Sequence, residues 1–310
     1  MLTYKKLLRK PKQFKTFTGL SVEEFDKLHN IIESQYPEYE HKRLSRKDRL
    51  NAIGQGRDFK LPLKERLIMQ LMYYRLYTSY TLLEYIFNLD QSNVYRDIRH
   101  LEKLVEQCMP LPEKIHKRIK RISTIKELLE LFPEAKCLFD ATEQEIPRPK
   151  NKKKRRTHYS GKKKKHTVKT QLMTNKKGLI IHKTKHVAGR VHDYELWKRT
   201  HPSIPPDIEA LVDSGYQGIQ TDFPDLKTRI PIKKPRGKQL TKQQKRYNKK
   251  LSKERVLVEH AISKVKKFGI IGQEFRNRLN SYDTKMSVVT GIVNFRTMLK
   301  EGMDVLSFVG

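Results

Sequence analysis

The sequence predicts an α/β fold, a mixed sheet with flanking helices, preceded by an all-α domain. Three observations carry this. Apolar residues recur at helical spacing between residues 62 and 110. Beyond Pro133 the pattern turns to short apolar runs of strand length, such as Cys137-Leu138-Phe139 and Ala210-Leu211-Val212. Helical stretches separate those runs, which is the order of helices packed on a mixed sheet.

Taken in order, Ser21 opens Ser-Val-Glu-Glu-Phe, an N-cap with acids in the first turn, and predicts a helix to about Ser34. Residues 36–61 are polar, punctuated by Pro and Gly, and read as a loop. Pro62-Leu63 starts a helix running to about Tyr77. Ser79 caps a second, whose Leu82, Leu83, Tyr85, Ile86 and Phe87 are expected to pack inward. Asp90-Gln91-Ser92 starts a third, with Val94, Ile98, Leu101 and Leu104 at helical spacing. The short turn Asn88-Leu89-Asp90 suits a helix-turn-helix, whose last helix would offer Gln91, Ser92, Asn93, Tyr95, Arg96 and Arg99 to DNA. A plain helical bundle is the alternative reading of the same pattern.

Pro110 and Pro112 mark a boundary, and a connecting helix is expected from Ser123 to Leu131. Strands follow at Lys136–Asp140, Gln144–Pro147 and His166–Thr174. The turn Asn175-Lys176-Lys177-Gly178 leads into Gly178–Val187 as a hairpin. A helix around His192–Thr200, strands at Ile208–Asp213 and Thr228–Lys233, and a helix carrying Glu259 complete the order. The expected domains are therefore 1–61 (helix and polar loop), 62–110 (helix-turn-helix), 111–132 (connector), 133–300 (catalytic α/β domain) and 301–310 (tail).

Charge narrows the partners. Lys and Arg number 67 against 34 Asp and Glu, a formal net charge of +33. Such an excess favours a polyanion, because each neutralised phosphate releases a condensed counterion. The basic residues are concentrated: 12 lie in a predicted hairpin at 148–169, and 13 in an insertion at 227–255. Cys108 and Cys137 have neither CxxC spacing nor disulfide density, which fits a reducing compartment. No run approaches the roughly 18 apolar residues of a membrane helix, and Met1-Leu2-Thr3-Tyr4-Lys5 lacks a signal-peptide core. These features predict a soluble intracellular protein.

Against that basic background three acids stand out. Asp140 closes Cys137-Leu138-Phe139, Asp213 closes Ala210-Leu211-Val212, and Glu259 lies on a helix with Arg255 and Lys266 on the same face. Two acids at strand ends and one on a facing helix would suit two Mg²⁺ ions, which activate an attacking oxygen and stabilise a leaving one. Each acid also has a structural reading: a strand end, a glycine turn, or a helix pair with Arg255. Glu143, Glu145 and Asp222 are the competing acids. His158, His166 and His192 lack metal-ligand spacing.

Four motifs occur in order: Phe139-Asp140-Ala141-Thr142-Glu143, the segment Tyr159 to His166, Val212-Asp213-Ser214-Gly215-Tyr216-Gln217-Gly218, and Arg255 to His260. Together they resemble the DDE transposases of bacterial and archaeal insertion sequences, over about residues 60 to 300. The resemblance implies an RNase H-like catalytic domain in which Asp140, Asp213 and Glu259 hold two Mg²⁺ (or Mn²⁺) ions. Arg255 and Lys266 match the spacing of the family's Tyr-Arg-Glu-Lys signature, whereas its Tyr position falls on Ser252. Further DNA contacts are expected from Lys162, Lys163, Lys164, Lys165, His166 and Lys169. The implied activity is binding of double-stranded DNA at terminal inverted repeats, 3′-OH release and joining to target DNA. A homodimer in the synaptic complex and a cytoplasmic, nucleoid-associated location in a prokaryote follow from the same resemblance. A nuclease that never joins ends, a non-catalytic repressor and an RNA-binding protein are the competing readings.

Overall fold

The computed structural model describes residues 1–45, 52–53, 55, 58–200 and 202–308. It forms two compact units. Unit one holds Met1–Pro110, with Lys267–Ile270 and the segment from Asp304; unit two holds Leu111–Lys266 and Ile271–Met303.

Unit one is helical. Its elements are α1 (Tyr4–Leu8), α2 (Pro11–Thr18), α3 (Val22–Leu44), α4 (Leu63–Leu76), α5 (Tyr80–Phe87) and α6 (Gln91–Cys108). The caps are local and chemical. Ser21 and Glu24 form a capping box, Ser79 accepts from the Leu82 amide, and Asp90 from the Ser92 amide. Tyr4 stacks on Phe25, and Phe14 meets Phe25 edge-on at 5.2 Å, closing α1–α3. Helices α1 and α2, and the length of α3, were not anticipated. The loop expected from residue 36 is helical to Leu44, with Pro37 inside it; the rest of that loop includes positions outside the described residues. Proline removes one helical hydrogen bond. Anchors beyond it compensate: Tyr39 donates to the His100 carbonyl at 2.9 Å, and Glu40 meets His100 at 2.6 Å and Arg43 at 2.7 Å.

Helix α5 corrects another expectation. It buries Leu83 and Phe87, while Leu82 is 47% exposed and Tyr85 85%. Two turns of helix present only one narrow stripe to a core, and a one-turn i, i+4 pair fills it.

Unit two contains α7 (Pro112–Ile119), α8 (Ile125–Leu131), β1 (Lys136–Glu145), α9 (Lys152–His158), β2 (Tyr159–Ser160), β3 (Lys165–Asn175), β4 (Ile180–Lys183), β5 (Val187–Ala188), α10 (Asp193–Thr200), β6 (Glu209–Leu211), α11 (Ile219–Asp222), β7 (Thr228–Arg229) and α12 (Lys242–Lys266). The one-turn α13 (Gly269–Gly272) is divided between the units after Ile270, and the long, buried α14 (Tyr282–Lys300) belongs to unit two. The sheet order is β2-β3-β1-β6-β7, with β4 and β5 also pairing with β3. β1 is antiparallel to β3 and parallel to β6, and β6 is parallel to β7. This is the mixed α/β sheet expected.

Four expectations change in detail. Lys136–Asp140 and Gln144–Pro147 are one strand, so Asp140 sits mid-strand and not at a strand end. β3 pairs along 137–145 and pulls the polar link into the ladder. The strand at 228–233 shrinks to Thr228–Arg229, just before Pro231, which has no amide to donate. The hairpin arm Gly178–Val187 splits into β4 and β5, and the basic hairpin begins as the helix α9. Pro112 occupies the first turn of α7, where its missing amide costs nothing.

Candidate active site

The register of β1 and β6 brings two of the predicted acids together. Leu138 lies beside Leu211 in the parallel ladder. Asp140 lies two residues further along β1, on the side-chain face of Leu138, and Asp213 lies two residues beyond Leu211, past the end of β6; both line one cavity. Adjacent strands are about 4.8 Å apart. Leu138 and Leu211 pack with Leu251 and Val258 of α12, so that face is the one α12 covers. On the opposite face α10 packs, with Trp197 edge-on to Phe139 at 4.3 Å.

Each carboxylate is tethered by backbone. The Ala141 amide donates to Asp140 Oδ1 at 2.8 Å, and the Gly215 amide to Asp213 Oδ1 at 2.7 Å. Asp213 thereby caps the turn Ser214–Tyr216. Both acids line a cavity of about 440 Å³ with Glu143, Asp193, Lys163 and Lys266. Burial raises the Asp140 carboxyl to about 6; Arg255 opposes that, while Asp213 and Asp193 add to it. Lys266 is held below its ordinary value by burial and by Lys163, and donates to the Glu143 carbonyl at 3.4 Å. A cluster of acids with partial cationic relief is therefore built into the sheet.

Asp193 is the acid that sequence reasoning missed. Its carboxylate meets Lys169 Nζ at 2.7 Å, and the same ammonium lies 3.5 Å from Glu143 and donates to the Val191 carbonyl. Lys169, expected to meet DNA, is 7% exposed and ties β3 to the start of α10 instead. Tyr216 is buried beside the acids, and its hydroxyl accepts from Gln171. Burial first, then Asp193, raises the Tyr216 phenol well above its usual range. The only local signal for Asp193 is its place in the first turn of α10, because its partner Lys169 is remote in sequence.

Glu259 is placed differently. Its side chain is exposed and is not part of the cavity wall, although Ile262 and Lys266, three and seven residues on along α12, are. Arg255, one turn earlier, acts on the Asp140 charge, and its Nε is buried without a hydrogen-bond partner. Glu259 thus lies between residues that reach the site from the same helix. Among the described residues no three His, Cys, Asp or Glu side chains stand close enough to hold a metal ion. Two carboxylate donors do converge, and magnesium is commonly held by one or two carboxylates completed by water and substrate phosphate. The donor chemistry fits such an ion. Of the competing acids, Glu145 pairs with Lys165 and Asp222 with Lys198, both outside the cavity wall.

Residues 139–294 match the family model described as DDE superfamily endonuclease, and residues 59–111 match the helix-turn-helix of DDE superfamily endonuclease. The chain belongs to the DDE superfamily of endonucleases. Its sequence is 31% identical over 292 residues to a probable transposase for insertion sequence element IS702 from Microchaete diplosiphon, covering 93% of this chain and 96% of the relative. No solved structure matches it. It is a transposase-family protein with a DNA-binding helix-turn-helix. Among the described residues, no helix is long and apolar enough to cross a membrane.

The cations of this endonuclease fall into distinct settings. Lys162 and Lys163 line the acid cavity. Lys164 takes the left-handed turn position at φ 56°, and Lys165 reaches Glu145 at 2.6 Å. His166 sits edge-on to Tyr159 in a neighbouring cavity. In the helix-turn-helix, α6 buries Val94, Ile98, Leu101 and Leu104 and exposes Gln91, Ser92, Arg96 and Arg99, with Asn93 half-buried. Arg99 donates to Tyr95 at 2.7 Å and Arg96 to Asn93 at 3.1 Å, which fans the guanidiniums along one face.

Proposed function

We propose that this endonuclease is a transposase that binds terminal inverted repeats, hydrolyses a phosphodiester to free a 3′-OH, and joins that end to target DNA. The observation that carries the reading is the convergence of Asp140 and Asp213 in one cavity edged by Lys162, Lys163 and Lys266. Asp140 and Asp213 would hold Mg²⁺ or Mn²⁺, with Glu259 completing the set for two ions. Such ions activate the attacking oxygen and stabilise the leaving one. The chain's own residues do the rest. Backbone tethers fix both aspartates, Lys162, Lys163 and Lys266 neutralise phosphate beside them, and Arg255 balances the acids. The α6 face of Gln91, Ser92, Asn93, Arg96 and Arg99 reads the repeat in the major groove. Two such chains synapse two ends as a homodimer, in the cytoplasm at the nucleoid.

The test is Mg²⁺-dependent cleavage of DNA carrying the gene's own flanking sequences. Discrete nicks at element ends are expected, lost in Asp140→Ala, Asp213→Ala and Glu259→Ala while DNA binding stays measurable. Full activity in any one of these variants removes that residue from the site. Joined products in a plasmid integration assay separate a transposase from a nuclease that only cuts.

A further inference from the structure

A second cavity, of about 650 Å³, lies next to the acid cavity and shares Arg190 with it. Its lining is chemically one-sided. Arg148, Lys152, Arg155 and Arg156 supply cations together with Arg190, no carboxylate takes part, and the remaining wall is Tyr159 and His166. The two rings meet edge-on with centroids 5.6 Å apart, and Tyr159 is 42% exposed. The arrangement is held from below. The Gly189 amide donates to the Thr167 carbonyl at 2.9 Å, and the Arg190 amide to the Thr157 carbonyl at 3.2 Å. A Cβ at Gly189 would lie 1.8 Å from Thr167 Oγ1, so only glycine lets this segment lie against β3 and set Arg190 between the two cavities.

Cations alone would suit any phosphate backbone. An open tyrosine beside them suits a base whose face is uncovered, and in a paired duplex every base face is stacked. We propose that this cavity takes an unpaired nucleotide of the DNA strand whose neighbouring phosphate enters the acid cavity. The base packs on Tyr159 and His166, and the phosphate lies among Arg155, Arg156 and Arg190. This rests on the transposase reading for the identity of the strand, but not on cleavage.

The test therefore uses the full chain in EDTA, where no strand is cut. Fluorescence anisotropy would compare a blunt duplex with the same duplex bearing a three-nucleotide single-stranded end. Wild type should bind the overhang duplex roughly tenfold more tightly, the scale of one stacked base. Tyr159→Ala should bring that ratio to about one, Tyr159→Phe should keep it, and melting curves check that both variants fold. A ratio near one in wild type, or an undiminished ratio in Tyr159→Ala, overturns the proposal. So does an equal gain from an overhang of abasic sugar-phosphate, because charge alone would then explain it. Absence of nicking at element ends in Mg²⁺, with the overhang preference intact, would instead fail the transposase reading and leave this cavity standing.

Discussion

At the scale of single residues, small side chains set the acids. A Cβ at Gly215 would lie 2.9 Å from Asp213 Oδ1 and 3.8 Å from Asp193 Oδ2. Gly215→Ala must push the Asp213 carboxylate aside. Cleavage should fall, by about a hundredfold for a carboxylate displaced by about 1 Å. Single-turnover rates measured alongside melting curves would show it, and an unchanged rate would rule the contact out as a constraint. A second residue-scale prediction concerns His182, whose ring centroid lies 4.6 Å from that of His116. Burial, then His116, lowers His182 to about 4; Glu113 opposes them, and Lys183 and Lys120 add smaller lowering effects. Between pH 6.5 and about 4 the unfolded chain therefore takes up a proton that the folded one refuses. Stability should drop as pH falls through that window, by on the order of 3 kcal/mol. Urea titrations at several pH values should show the loss in wild type and a shallower one in His182→Phe.

At the scale of elements, the anchors differ in how legible they are in the sequence. The caps at Ser21, Ser79 and Asp90 were readable because a cap bonds to amides two or three residues away. The acids at 140 and 213 were readable because a charge ending an apolar run is itself a local signal. The continuity of β1 was not, since Asp140-Ala141-Thr142-Glu143 is polar and only pairing with β3 makes it strand. Asp193 was hidden for the same reason, its partner Lys169 lying on another element. In unit one, α4 and α6 are joined by a buried ion pair that no pattern announced: Arg66 meets Asp97 at 3.2 Å, and its guanidinium lies over Phe59 at 3.5 Å. Arg66→Ala leaves Asp97 buried without its cation and should cost about 3–5 kcal/mol. Chemical denaturation would detect this. A loss under about 1 kcal/mol would mean that the pair is idle.

At the scale of the whole molecule, the net charge of +33 sets how the protein meets DNA. Affinity for a repeat-bearing duplex should fall about 10³–10⁵-fold between 50 and 200 mM salt if six to ten phosphates are neutralised. A flat salt profile in binding titrations would contradict a backbone-dominated contact. The ladder around β1 has a further consequence, in time and not in space. Amides of β1 are held by β3 along 137–145 and by β6 along 136–138, whereas Asp213 lies beyond the end of β6 on a single turn. Hydrogen exchange should follow global opening at 137–141 and local opening at 213–217. Exchange in that pattern would put the two aspartates on different clocks, with adjustment between them coming from the Asp213 side; equally slow exchange at both would make them one rigid unit.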